Sequence, residues 1–264
     1  MSPDEVRIVV TLAVVTFALG VLLGFIGAGG AGIVVALLTT TFGLPVHQAI
    51  GTALAMMCFV TISGAVSHYR EGNVAPKVGL VTGLTGAFGA IIGADTSQAI
   101  PEPMLQMLAG VGLLMLAALV WARTQFGIGR AGLVSEPEWA GEPKRSPVGW
   151  GLAGGLGLTG GAAAAFLGVG MAPYLQLGFL AVLRLPLRQT IGTTMMALIF
   201  ISAAGAVALA RHGDVSLPHL IGTTLGVASG AFLGARLTKR MPRSLLRVAL
   251  VGAPLIAGGM LLLF

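Results

Sequence analysis

Two short stretches of the sequence carry the same polar side chains at the same spacing. "LPVHQAIGT" fills residues 44–52 and "LPLRQTIGT" fills residues 185–193. Each holds an amide, Gln48 or Gln189, and four residues later a hydroxyl, Thr52 or Thr193. On a helix that spacing puts both groups on one face. Amides and hydroxyls donate and accept hydrogen bonds without carrying charge. Two such faces can line a polar cavity, or they can serve as helix caps and interhelical hydrogen bonds. His47 and Arg188 occupy the same place in the two stretches. Arg188 suits a positive anchor at a cytoplasmic membrane surface, and either residue can supply charge at a gate.

A second chemistry belongs to the backbone. "GFIGAGGAG" (24–32) and "AFLGVGMAP" (165–173) interrupt apolar runs with Gly27, Gly29 and Gly30, and with Gly168 and Gly170. A helix that starts at such a break has unpaired N–H groups and a partial positive charge, and it can bind an anion. Irregular backbone at membrane depth is tolerated only against protein or water. Glycine-rich breaks beside short apolar segments, in matching places of two halves, mark a transporter site. Close helix packing through small residues is the competing explanation.

Other chemistries lack their residues. Asp95 falls at a helix end, and Asp4 and Asp214 fall in loops, so the apolar runs contain no carboxylate. A cation or proton path would place one there, and the balance favours an anion. No metal-binding, phosphate-loop or nucleophile-elbow pattern is present. No metal, cofactor or enzymatic activity is expected. "GAGGAG" follows no strand and has no acid about 20 residues on, which excludes dinucleotide binding. The one cysteine, Cys58, lies in an apolar run and reads as a small buried residue. His47, His68, His212 and His219 can titrate near neutrality but fall at or near helix ends, so coupling to a proton, to sodium or to nothing is open at this point.

The elements that must position these groups are membrane helices. Hydrophobic residues make up 56% of the 264 and charged residues 9%, with mean hydropathy +0.95. Soluble domains carry about 25% charged residues. Charge-free runs cover 78–94, 103–122, 146–183, 189–210 and 248–264, and a spanning helix needs roughly 17–25 apolar residues. The fold class is therefore all-α and polytopic. The N-terminal run reads as a first spanning helix rather than a cleaved leader. The net charge of +6 sits between the apolar runs, as cytoplasmic loops require, and implies membrane lipid rather than nucleic acid as a partner. "GLAGGLGLTGGAAAAFLGVG" (151–170) reads as a tightly packed helix.

The chain repeats itself. Of the 77 positions from 25 to 101, 25 are identical to the position 141 further on, without a gap. Five hydrophobic segments are expected in each half, near 6–26, 30–43, 47–67, 76–95 and 102–122, then near 148–168, 171–184, 188–210, 216–236 and 243–264. This gives an N-terminal membrane repeat (1–122), a cytoplasmic linker loop (123–147) and a C-terminal membrane repeat (148–264). The stretch 95–103 has no Lys or Arg, whereas its counterpart 236–247 has five. Equivalent loops then lie on opposite sides, and an odd number of crossings inverts the second repeat. Whether the short segments 30–43 and 171–184 span or re-enter is open at this point, so the count is 8–10 segments.

Residues 24–74 resemble the TauE/SafE family of sulfite and organosulfonate exporters. The resemblance lies in the glycine break, His47, "AIGTAL" at 49–54, and the Gly64, His68, Gly72-Asn-Val pattern. The second half repeats it with Gly168-x-Gly-x-Ala-Pro173 and "TIGTTM" at 190–195. It covers nearly the whole chain. It implies bacterial inner-membrane export of a small sulfur-containing or carboxylate anion, coupled to an ion. The residues read above then give the leading expectation: alternating access between the two repeats around Gly27–Gly30, Gln48, Thr52, Gly168–Gly170, Gln189 and Thr193. The chain departs from the pattern where Gly32 faces Pro173, and at Ala53-Leu54, where the family carries a Ser-Leu pair. A passive channel and a non-transporting accessory protein are the alternatives, and a homodimer is compatible with all three.

Overall fold

A computed structural model of the chain describes residues 3–26, 30–126, 147–237 and 243–263. These form ten α-helices: α1 (Pro3–Ile26), α2 (Ala31–Thr40), α3 (Val46–Arg70), α4 (Pro76–Gln98), α5 (Glu102–Phe126), α6 (Pro147–Leu167), α7 (Ala172–Leu177), α8 (Leu187–Arg211), α9 (Leu217–Leu237) and α10 (Arg243–Leu263). A π-helical turn, Gly178–Val182, extends α7. The helices reproduce the ten expected segments. One boundary moves: α5 continues to Phe126, four residues into the expected linker, and the linker residues 127–146 lie outside the described residues. Among the described residues, five helices are long and apolar enough to cross a membrane unaided.

Close approaches fix the chain directions. Gly222 packs on Val9 and Leu12, and Gly230 on Phe17 and Val21, so α1 and α9 run parallel. Gly157 packs on Thr82 and Gly93 on Ala162, so α4 and α6 do the same. Gly51 lies against Leu209 and Asp214, and Gly192 against His68 and Asn73, so α3 and α8 are antiparallel. Gln106 donates to the Leu261 carbonyl at 3.1 Å while Leu114 touches Gly258, so α5 and α10 are antiparallel too. A shift of 141 residues converts α3 into α8, α5 into α10, and the α1–α9 pair into the α6–α4 pair. Equivalent helices point in opposite directions, which is the geometry of inverted repeats.

The same directions decide what the short helices do. Thr52 meets Ser216, so α3 and α9 begin at one end of the bundle. α1 is parallel to α9 and begins there as well. The chain thus has to come back toward that end between α1 and α3, and α2 lies on this return path. Ala75 meets Thr193 in the same way, and α7 lies on the equivalent path. α2 has ten residues, about 15 Å at 1.5 Å per residue, so by itself it covers about half of a hydrocarbon core of ~30 Å.

Small residues allow this packing. A Cβ on Gly89 would collide with the Leu158 carbonyl, and one on Gly230 with the Phe17 carbonyl. Both seams are therefore backbone-on-backbone, as expected in lipid. Between α3 and α8 the filling is larger: Ile50, Leu54, Met56, Met57, Leu198, Ile201 and Leu209 are all buried. Phe88, Phe232, Leu225 and Val14 point outward, toward the acyl chains. The turns also repeat. Gly72 (φ +72) and Gly213 (φ +84) close α3 and α8 in the left-handed region, where the N–H of Asn73 reaches His68 O at 2.9 Å and that of Asp214 reaches Leu209 O at 3.1 Å.

Candidate functional site

The duplicated "IGT" has a local mechanical meaning. The Thr52 hydroxyl oxygen accepts the backbone N–H of Ser216 at 3.1 Å, and that of Thr193 accepts the N–H of Ala75 at 2.9 Å. Ala75 and Ser216 are themselves 141 residues apart, and each immediately precedes a helix, α4 or α9. The first N–H groups of a helix have no partner within it. Each half thus supplies a hydroxyl near the helix start of the other half. The glycine just before each threonine makes room: a Cβ on Gly51 would overlap the Asp214 carbonyl oxygen, and one on Gly192 the Asn73 carbonyl oxygen. Both threonines are fully buried. We call each arrangement a clasp.

The clasps stand at opposite ends of the bundle, because α3 and α8 are antiparallel. From Thr52 to Arg70, α3 alone rises about 27 Å at 1.5 Å per residue. Gln48 and Thr52 therefore form one constellation, and Gln189 and Thr193 another. The structure does not bring the four together. Both glutamines are partly buried, each in the first turn of its helix.

The glycine breaks do converge. Gly168 adopts φ +65 and is packed against Ile50 of α3 and Val35 of α2. The Cα of Val169 lies 3.4 Å from where a Cβ on Gly32 would stand. Gly112 and Leu113, near the middle of α5, touch Leu167 and Gly32 respectively. The start of α2 and the end of α6 thus meet, one from each repeat. Gly30 is the N-cap of α2, and its carbonyl accepts from Ile33 N at 3.1 Å and Val34 N at 3.2 Å. No side chain caps this end. Ala31 and Gly32 are buried, so the positive end of the α2 dipole lies at the junction of the repeats, and N–H donors at such an end favour an anion. At the matching end of α7, Pro173 removes one such donor. Gly170 is buried beside Gly168. Gly27 and Gly29 lie outside the described residues.

His47 does more than the sequence suggested. Its Nε2–H donates to the Ser97 carbonyl at 3.0 Å, and its Nδ1 lies 3.8 Å from Glu102 Oε1. It joins the start of α3 to the α4–α5 turn. Beside it, Gln98 Nε2 donates to Asp214 Oδ2 at 2.7 Å, and His212 Nε2 lies 3.4 Å from Asp95 Oδ1. These contacts tie α4 to the α8–α9 turn. Arg188 is exposed at the start of α8, at the opposite end.

Two polar groups in the short helices escaped the sequence reading. Gln176, in α7, is a buried amide at the position equivalent to Val35. The Thr39 hydroxyl, in α2, is buried without a hydrogen-bond partner among the described residues. A search for polar residues inside the short apolar segments would have found both. Thr82 and Thr159 serve packing: Thr82 donates to Ala153 O at 3.1 Å, and Thr159 pairs with the Tyr174 hydroxyl at 2.8 Å.

The family model described as "Sulfite exporter TauE/SafE" matches residues 12–261. A "Probable membrane transporter protein YdhB" of Bacillus subtilis is 38% identical over 96% of this chain and 99% of its own length. A "Probable membrane transporter protein" of Xylella fastidiosa is 24% identical over 85% of this chain and 83% of its own. "Probable membrane transporter protein YunE" of Bacillus subtilis is 24% identical over 89% of each chain. No solved structure matches.

Proposed function

The chain belongs to the sulfite exporter TauE/SafE family, and from that premise we propose that it exports a small anion across the bacterial inner membrane. It is a multi-pass membrane protein, and its relatives carry the names of membrane transporters. The proposed cargo is sulfite, an organosulfonate or a similar sulfur-containing or carboxylate anion, moved by alternating access, with a proton or sodium as the possible coupling ion. The observation that carries this reading is the meeting of the two broken segments. There the uncapped start of α2 is buried between inverted repeats, with no carboxylate in the adjoining spans to repel an anion.

In this reading the anion's oxygens take backbone N–H donors at the α2 start. Gln48, in the turn of α3 that includes Ile50 and packs on Gly168, and Gln189, its counterpart, act on the two approach routes, one from each face. His47 and Arg188 flank those routes. The groups proposed to hold the anion are backbone N–H donors and neutral amides; the acids Asp95, Glu102 and Asp214 lie outside them, at the end of the bundle that carries His47.

The test is a calorimetric and thermal-shift screen of purified protein against sulfite, sulfate, thiosulfate, taurine, sulfoacetate and small carboxylates. A ligand that binds the folded state stabilises it by mass action. A saturable shift with one anion, weakened in Gln48→Ala while the unliganded melting temperature holds, supports the site. No shift with any of them overturns the anion reading. Flux in liposomes that never saturates and ignores proton and sodium gradients would make the protein a passive channel instead.

A further inference from the structure

A groove of about 240 Å3 opens on the flank of the bundle at the C-terminal end of α3, lined by Ala65, Val66, Tyr69, Arg70, Val74 and Met196. Its walls are apolar. Arg70 stands at its mouth, exposed, and makes no ion pair among the described residues; Tyr69 beside it is 64% exposed. Such a groove faces the bilayer, so lipid is in contact with it. The remaining issue is whether it selects one lipid.

Size and charge both bear on that. An acyl chain is narrow enough to lie in the groove. The guanidinium of Arg70 offers a fork of donors that matches a phosphate. Tyr69 has the apolar body and polar tip that settle at a membrane surface. The charge pattern places this end on the cytoplasmic side: Arg70, Lys77, Arg184 and Arg188 gather here with one acid, Glu71, whereas the other end carries Glu5, Asp95, Glu102 and Asp214 with Arg7 and Arg211. Anionic lipid enriches that leaflet and attracts basic residues beside it.

The inverted repeat supplies an internal control. The equivalent positions at the other end are Ala206, Val207, Ala210, Arg211, Val215 and Ala55. The arginine is kept, but Ala210 replaces Tyr69 and Ala55 replaces Met196, so the two large walls are gone. The groove belongs to one leaflet.

We propose that this groove seats an anionic phospholipid of the cytoplasmic leaflet, with an acyl chain between Val66, Tyr69 and Met196 and its phosphate on Arg70. The lipid bridges α3 to α8 close to the clasp formed by Thr193 and Ala75, so its binding raises stability. This inference does not depend on what the protein transports.

The experiment melts detergent-purified full-length protein with phosphatidylglycerol, with phosphatidylcholine of the same chains, and with inorganic phosphate. Phosphatidylglycerol is expected to raise the melting temperature by about 2–4 °C more than phosphatidylcholine, with no shift from phosphate alone. Arg70→Gln removes the difference and Arg211→Gln keeps it. Val66→Trp, at an exposed wall position that tolerates a large side chain, shrinks it by filling the groove. Equal shifts from both lipids in the wild type, a full difference retained in Arg70→Gln, or the same shift from phosphate alone would overturn the proposal.

Discussion

Gly192→Ala isolates the clasp between the repeats. The added Cβ would overlap the Asn73 carbonyl oxygen and lie 2.8 Å from His68 Cβ and 2.9 Å from Val74 Cγ2. Ordinary contact is about 3.5 Å, so the α3–α4 turn must retreat by roughly 1 Å or more. That retreat stretches the Ala75 N–H to Thr193 bond from 2.9 Å to beyond hydrogen-bonding range. A buried N–H left without a partner costs about 1–3 kcal/mol, and overpacking a filled site costs about 1–3 kcal/mol more. The sum is roughly 2–6 kcal/mol. At about 2–4 °C per kcal/mol for a chain of this size, the melting temperature falls by roughly 4–24 °C.

Thr193→Val separates the two terms. It removes only the acceptor, and its cost is about 1–3 kcal/mol. The double variant is less than additive, because the glycine change has already broken the bond that the threonine change removes. Thr193→Ser keeps the oxygen and costs about 1 kcal/mol for the lost methyl. The assay is thermal unfolding in detergent, read by intrinsic fluorescence. A Gly192→Ala protein that melts within a degree of the wild type, or a double variant that is fully additive, refutes the clasp.

Three further outcomes follow from the same packing. Gly155→Ala, where a Cβ meets only open space, is neutral or stabilising by up to about 1 kcal/mol through helix propensity, whereas Gly161→Ala, on the same helix against the Gly86 backbone, lowers the melting temperature sharply; equal effects would contradict the parallel α4–α6 seam. In a Cys58→Ala background, cysteines placed at the equivalent positions Gly72 and Gly213 react with a membrane-impermeant maleimide from opposite sides, and labelling from one side would refute inversion. Gly226→Ala, whose Cβ would overlap the Ala13 carbonyl oxygen and the Thr16 hydroxyl, lowers the melting temperature as Gly161→Ala does; an unchanged melting temperature would contradict the parallel α1–α9 seam.

The repeat, the ten segments and their inversion were legible because they rest on long-range statistics of apolarity and charge. The break glycines were legible because a glycine beside a short apolar run has few other uses. The placement of Gln48 and Gln189 was not legible. Identical motifs invite the idea of one shared site, yet inversion sends equivalent helix starts to opposite ends. Thr52 and Thr193 show why a motif alone misleads: the same hydroxyl that could face a solute is the acceptor for a backbone N–H more than a hundred residues away. His47 gave no signal because its partners, Ser97 O and Glu102, are a main-chain atom and an exposed surface acid. Gln176 was overlooked because it has no twin, since Val35 fills its equivalent position.

Inversion also constrains how such a protein can move. The two halves are distinct in sequence and interleaved in space. α1 lies along α9 and α4 along α6 through backbone contacts that leave no room for sliding, so each seam binds one repeat to the other. The clasps do the same at both ends of α3 and α8. A motion that separated the halves would have to open two tight seams and two buried hydrogen bonds at once. The less costly rearrangement lies where the packing is interrupted: at Gly30, at Gly168 with its left-handed backbone, and at the π-helical turn Gly178–Val182, which already departs from regular helix. Local reshaping of α2 and α7 within a rigid frame of paired helices would expose the α2 start to one face and then the other. It uses α2 and α7, the shortest helices among the described residues, and it asks nothing of the seams.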